Sequence, residues 1–125
     1  MTSSSWAAGA CALVAAATAS AQFKGFAPRV DLPVNPDYAP TAAVLADLDN
    51  DGDLDIACSL FTPATYDRIA IYLNDGDAGF TGPSYYGVGG SPTASIAADV
   101  NQDGKMDLLT ANRDTDEFSL RRGHG

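Results

Sequence analysis

Two acidic nine-residue stretches carry the side chains most able to do chemistry. Asp47-Leu48-Asp49-Asn50-Asp51-Gly52-Asp53-Leu54-Asp55 and Asp99-Val100-Asn101-Gln102-Asp103-Gly104-Lys105-Met106-Asp107 both fit D-x-[DN]-x-D-G-x-x-D, and they lie 52 residues apart. In such a loop the oxygen side chains at positions 1, 3 and 5 converge on one point. Glycine at position 6 lets the backbone reverse with φ > 0, which a Cβ would resist. Position 7 offers a main-chain carbonyl, and the carboxylate at position 9 closes the cage. Six to eight hard oxygen ligands at about 2.3–2.6 Å are what Ca²⁺ takes. Zinc would want a cluster of His or Cys, and the chain has one His and two Cys. Two Ca²⁺ sites are therefore expected. Asp47, Asp49, Asp51 and Asp55 supply side chains and Asp53 its carbonyl in the first. Asp99, Asn101, Asp103 and Asp107 supply side chains and Lys105 its carbonyl in the second.

The elements that must hold these loops repeat as well. Ala39-Pro40-Thr41-Ala42 leads to the first loop and Ser91-Pro92-Thr93-Ala94 to the second, without a gap in register. Leu54–Leu60 and Met106–Ala111 follow. Arg68–Leu73 then aligns with Glu117–Arg122 if the second copy loses three loop residues. A period near 50 residues is the size of one supersecondary unit, such as a propeller blade. After residue 21 no helical periodicity is visible. Short runs of Val, Ile, Tyr, Thr and Ala broken by Pro, Gly, Asn and Asp predict strands near 41–46, 54–60, 68–73, 80–88, 93–98, 106–111 and 117–122. Asn74-Asp75-Gly76-Asp77-Ala78-Gly79 has the chemistry of a hairpin turn. Phe26-Ala27-Pro28-Arg29-Val30 echoes Phe80-Thr81-Gly82-Pro83-Ser84, so a strand is also expected at the start of the mature chain.

Residues 1–21 read as a secretory signal. Trp6–Ala19 is apolar, uncharged and too short to span a bilayer, and Ala19-Ser20-Ala21 is an A-x-A cleavage pattern before Gln22. The n-region has no Lys or Arg, and Cys11 after Ala8-Gly9-Ala10 faintly resembles an acylation site. Cleavage would leave 104 residues with Cys58 as the one cysteine. That is enough for one small domain, without an intrachain disulfide, for which bound metal would be the stabiliser. Eight of the sixteen acidic residues lie in the two loops. Outside them charge is near balance, with no basic stripe for nucleic acid or anionic lipid. His124 reads as a solvated turn residue.

The order strand, acidic loop, strand, strand, N-x-G turn, aromatic strand resembles the FG-GAP/VCBS repeat, over about residues 23–125. The resemblance implies an all-β fold of two partial β-propeller blades, with a Ca²⁺ loop joining the first two strands of each. Repeat one would span about 39–90 and repeat two about 91–125, the second stopping inside a hairpin, as in a fragment or truncated frame. There is no Phe-Gly…Gly-Ala-Pro signature, so the bacterial VCBS form fits better than the integrin form. The implied function is a non-enzymatic, secreted or surface-exposed module for adhesion. Its ligand would be an extracellular protein or carbohydrate, and further blades or self-association would complete it.

Three other readings compete. A piece of a secreted polysaccharide-active enzyme would put the Asp residues to glycosidase work, yet each stands at ligand spacing, and with one His, next to the last residue, no Ser/His/Asp or Cys/His set is available. An EF-hand or dockerin pair needs an acidic residue at position 12, which here is Cys58 and Thr110, and a following helix. Metal-free Asp-Gly turns would leave the 52-residue register unexplained.

Overall fold

The computed structural model describes residues 22–63, 66–77 and 79–124. The secretory signal expected at 1–21, with Cys11, lies outside the described residues. The chain divides into Met1–Asp31 and Leu32–Gly125. In the first unit, Phe23 and Phe26 meet edge to face at 5.3 Å, and Arg29 pairs with Asp31 at 3.0 Å. The strand expected at Phe26–Val30 is not formed. Its likeness to Phe80–Ser84 lies in side-chain types, whereas a strand needs a neighbouring edge to take its N–H and C=O groups, and no described strand pairs with it.

The second unit is all-β. Seven strands are formed: β1 (Ala39–Ala46), β2 (Asp55–Phe61), β3 (Arg68–Asn74), β4 (Phe80–Gly87), β5 (Pro92–Ala98), β6 (Asp107–Asn112) and β7 (Glu117–Arg121). All seven strands expected from the alternation are present, within two residues at each end. They form two antiparallel meanders, β1-β2-β3-β4 and β5-β6-β7, as in two partial propeller blades. No described residue is helical.

The repeated Pro-Thr has a local cause. In β1 the pairing skips from Pro40↔Leu60 to Ala42↔Ser59, and in β5 from Pro92↔Asn112 to Ala94↔Ala111. Thr41 and Thr93 are thus the extra residues of equivalent β-bulges. Proline suits the irregular strand end because it has no N–H to give the ladder. The threonine hydroxyls donate across the break, Thr41 to the Ser59 carbonyl at 3.1 Å and Thr93 to that of Ala111 at 3.4 Å.

Alternation decides what each sheet buries. One face of β1–β4 presents Val44, Ala57, Ile69 and Ile71, which pack with Val88 against Leu108 and Ala97 of the second sheet. Ser59 on that face shares a 2.5 Å hydrogen bond with the Ser95 hydroxyl. Arg121 adds a tie, donating to the Gly87 carbonyl at 2.6 Å while lying 5.9 Å over the Tyr86 ring. The opposite face of β1–β4 presents Leu60, Ala70 and Tyr72, covered by Leu32, Val34 and Tyr38. That covering segment is anchored where Tyr72 donates to the Pro33 carbonyl at 2.7 Å and Asn35 N–H donates to the Tyr85 hydroxyl at 3.2 Å.

Candidate metal centre

Each acidic loop joins the first two strands of its sheet, and the two share one hydrogen-bond skeleton. At position 1, Asp47 accepts from the N–H groups of Asp51 (3.1 Å) and Gly52 (3.0 Å), and Asp99 accepts from Asp103 (3.1 Å) and Gly104 (2.8 Å). At position 5, Asp51 accepts from Asp53 N–H at 2.9 Å and Asp103 from Lys105 N–H at 3.0 Å. These are Asx-type bonds, in which a short carboxylate satisfies backbone donors that a tight turn would otherwise leave open. Gly52 and Gly104 have φ of +96° and +84°, as position 6 requires. Position 4 is left-handed too, with Asn50 at +64° and Gln102 at +58°. Asn tolerates that region, and Gln102 adopts it as well in the same loop position.

Position 9 does more than its spacing suggests. Asp55 and Asp107 are almost completely buried, and both oxygens of each accept a backbone N–H. Asp55 takes Leu48 N–H at 2.7 Å and Asn74 N–H at 2.8 Å. Asp107 takes Val100 N–H at 3.0 Å and Gly123 N–H at 2.9 Å. Each carboxylate therefore clamps the start of its own loop to the chain just at the end of the third strand. Every oxygen keeps a further lone pair that could face a cation.

The expected ligands are brought together unequally. In the first loop one carboxylate oxygen each from Asp47, Asp49 and Asp55 lie within 4.8 Å of one another. Two oxygens bound to one Ca²⁺ at about 2.4 Å can be no farther apart than roughly that distance, so the trio matches one ion. Asp51 stands outside the trio, its Oδ1 engaged by Asp53 N–H. Asp53 projects its side chain toward Gly76 of the β3–β4 turn, so closely that a Cβ on Gly76 would lie 2.6 Å from Asp53 Oδ2. In the second loop Asn101 replaces a carboxylate, and its Nδ2 donates to Asp103 Oδ2 at 3.0 Å. Lys105 sends its ammonium to the His124 carbonyl.

Charge separates the loops as well. Desolvation, followed by the negative charges of Asp51 and Asp55, holds the Asp49 carboxyl above its ordinary range. Asp103 is held below its range by the Lys105 N–H and the Asn101 amide, with help from the Lys105 charge. The first loop is thus an unneutralised carboxylate cluster, which a divalent cation would relieve.

Residue patterning gave no hint of Asp67. Almost fully buried, it accepts at 2.5 Å from Thr62 N–H through Oδ1 and from Ser91 N–H through Oδ2, and its carbonyl takes Val88 N–H at 2.9 Å. One side chain thereby ties the β2–β3 connection to the segment that launches the second sheet. As a single Asp with no spacing partner, it is invisible until the two loops are seen together.

Among the described residues no helix is long and apolar enough to cross a membrane. No curated protein and no solved structure matches the chain. Residues 60–110 match the family model described as an FG-GAP-like repeat. That stretch runs from the end of β2 through β3, β4 and β5, takes in the second acidic loop and ends in β6, so this part of the chain is similar to an FG-GAP-like repeat, in keeping with the two partial propeller blades of the fold.

Proposed function

We propose that this chain is a Ca²⁺-stabilised, non-enzymatic module of the extracellular space or cell surface. It binds one ion in each acidic loop and presents its sheets and loops to a protein or carbohydrate ligand. The observation that carries the calcium reading is the trio of Asp47, Asp49 and Asp55 oxygens within 4.8 Å, held by a hydrogen-bond skeleton that the second loop repeats. The Ala19-Ser20-Ala21 pattern and the FG-GAP repeat support the extracellular setting. Further blades, or a second copy of the chain, complete what two sheets leave open.

Calorimetric titration of the chelator-stripped protein with Ca²⁺ tests the reading. Two binding events are expected, and the melting temperature should rise with free Ca²⁺. An ion that binds only the native state adds about 2.7 kcal/mol at 100 times its dissociation constant. Absence of heat, together with a melt that is the same in chelator and in millimolar Ca²⁺, would overturn it.

A further inference from the structure

Opposite the acidic loops, at the other end of each sheet, three connections meet: β2–β3 with Tyr66, β4–β5 with Gly89 and Gly90, and β6–β7 with Thr115. With Glu117 and Ser119 of β7 they line an open cleft. Protein groups fix its walls. Asp67 holds the Thr62 and Ser91 N–H groups at 2.5 Å each, and Thr62 Oγ1 donates to the Tyr66 carbonyl at 3.0 Å. Gly90 N–H donates to Thr115 Oγ1 at 3.2 Å, and the Gly90 carbonyl takes Asp114 N–H at 3.1 Å. Polar atoms crowd the bare backbone here. A Cβ on Gly89 would lie 2.5 Å from both Glu117 Oε1 and Thr115 Oγ1, and 2.7 Å from Asn112 Nδ2. Among the described residues Glu117 has no ion-pair partner. Ser119 Oγ accepts from Gly89 N–H at 3.1 Å and from Asn112 Nδ2 at 2.8 Å, which leaves its own proton to donate. Asn112 is 3 % exposed, and its Oδ1 is unpaired among the described residues. A buried acceptor without a partner is uncommon enough to need a reason. Tyr66, by contrast, is 70 % exposed.

We propose that this cleft binds a neutral saccharide, with the Tyr66 ring against one face of a pyranose and Glu117, Thr115 and Ser119 on its hydroxyls. The polar atoms select that class. The Glu117 carboxylate only accepts, whereas the Ser119 hydroxyl has a proton to give. The matching ligand carries donors and acceptors side by side, as neighbouring sugar hydroxyls do. A cationic amine offers donors alone. An anion would meet the Glu117 charge, and the neighbouring guanidinium groups are engaged elsewhere. Arg113 pairs with Asp114 at 3.0 Å, and Arg121 donates to the Gly87 carbonyl at 2.6 Å. A wholly apolar ligand would strand the polar atoms without partners. The phenol ring of Tyr66 supplies a flat apolar surface with a polar tip, which suits the C–H face of a pyranose. Because the three connections are already tied to one another, the cleft has little to order when a ligand arrives. The inference rests on the carbohydrate part of the proposed function, for which it names the site, and is independent of the calcium part.

Saturation-transfer NMR of the full chain in millimolar Ca²⁺ is the test, with the methyl glycosides of glucose, galactose, mannose and fucose as probes and glucuronic acid as the charged comparison. At least one neutral glycoside should bind at about millimolar strength, as suits so small a ligand on an open cleft. It should shift the Tyr66 ring signals and the Gly89 and Gly90 amides. Tyr66→Ala and Glu117→Ala should each weaken binding at least tenfold. Gly89→Ala should do the same, because its methyl group displaces the Glu117 and Thr115 side chains. Asp77→Asn on the β3–β4 turn is the control and should leave binding unchanged; unaltered melting of each variant verifies the fold. Binding that survives all three cleft substitutions would overturn this site and leave the carbohydrate reading standing. Tighter binding of glucuronic acid than of glucose would overturn the neutral class. No transfer to any glycoside at tens of millimolar, in protein that still titrates with Ca²⁺, would sink this inference and leave the calcium-stabilised module in place.

Discussion

Replacing Asp55 with alanine separates the two roles that the structure gives this carboxylate. Its oxygens accept the N–H groups of Leu48 and Asn74, at 2.7 and 2.8 Å, in the buried base of the loop. A buried donor left without a partner costs about 1–3 kcal/mol. Both N–H groups are only part-buried, so about 1–2 kcal/mol each is appropriate, or about 2–4 kcal/mol together. Against a typical total stability of about 5–15 kcal/mol this is a large fraction. For a domain of about 100 residues it corresponds to a fall in melting temperature of roughly 10–25 °C. The loss should be present in chelator, because neither hydrogen bond involves metal.

Asp49→Ala provides the contrast. Asp49 shares one longer contact, from Asp51 N–H at 3.3 Å, and that donor also reaches Asp47. In chelator its removal also takes a charge away from a crowded cluster, so the melt should stay close to that of wild type. Both variants should lose the share of Ca²⁺ stabilisation that the first loop supplies and keep that of the second. Paired urea or thermal melts of the two variants, each with chelator and with millimolar Ca²⁺, read all four quantities. If Asp55→Ala melted in chelator within a degree or two of Asp49→Ala, the clamp would not carry the stability assigned to it. Asp55→Asn keeps one acceptor oxygen and should fall between the two.

Asp67→Ala should cost about 2–4 kcal/mol by the same reasoning, with or without Ca²⁺, since two backbone donors lose their acceptor; hydrogen exchange should then rise first at Thr62 and Ser91, and unchanged exchange there would refute the latch. The first site should bind Ca²⁺ more tightly than the second, because its loop carries five carboxylates against three and the second adds the positive charge of Lys105, and Asn101→Asp with Lys105→Asp should narrow the gap in a calorimetric titration. In the metal-free protein Asp49 should titrate above an ordinary aspartate and Asp103 below it, followed by carboxyl-carbon NMR. The signs are opposite: deprotonating Asp49 weakens the metal-free fold as pH rises from the ordinary value through its raised one. The stabilising share of Asp103 is present above the ordinary value and lost as pH falls through its lowered one. Ca²⁺ should move the Asp49 midpoint down, and a midpoint indifferent to Ca²⁺ would place the ion elsewhere.

The strands were legible because each alternates over a short run and stops at turn residues whose chemistry is local. Asn74 to Gly79 shows this well. Asp75 accepts from Asp77 and Gly79 N–H, and the Asn74 amide oxygen from Gly76 N–H, all within the turn itself. What escaped the sequence depends on partners far along the chain. The Thr41 and Thr93 bulges exist only relative to Ser59 and Ala111. Asp67 matters only because Ser91 returns to it, 24 residues on. Phe26–Val30 failed for the complementary reason, having strand-like side chains but no edge to pair with. In the acidic loops spacing picked out candidate ligands, but it could not tell that Asp51 would stand aside while Asp47, Asp49 and Asp55 converge.

The position-9 carboxylates show why a ligand set read as nine consecutive residues is too narrow a view of these loops. Asp55 receives a donor from Asn74 at the end of β3, and Asp107 receives one from Gly123, two residues after β7. Both lie at the first residue of the second strand, so each fixes the loop against the third strand of its sheet across the strand between. The Asn74 side chain reinforces this by donating to the Leu54 carbonyl at 3.1 Å. A cation held by Asp47, Asp49 and Asp55 would therefore act on a residue already bonded to the β3–β4 hairpin, and its effect would reach strands that contribute no ligand. The skeleton of N–H donors holds each loop's backbone through its own carboxylates at positions 1, 5 and 9. That skeleton explains how the second loop, with Asn101 and Lys105 in place of two carboxylates, can keep the same backbone as the first: geometry is set by positions 1, 5, 6 and 9, which the two copies share, and positions 3 and 7 are left free to vary in charge.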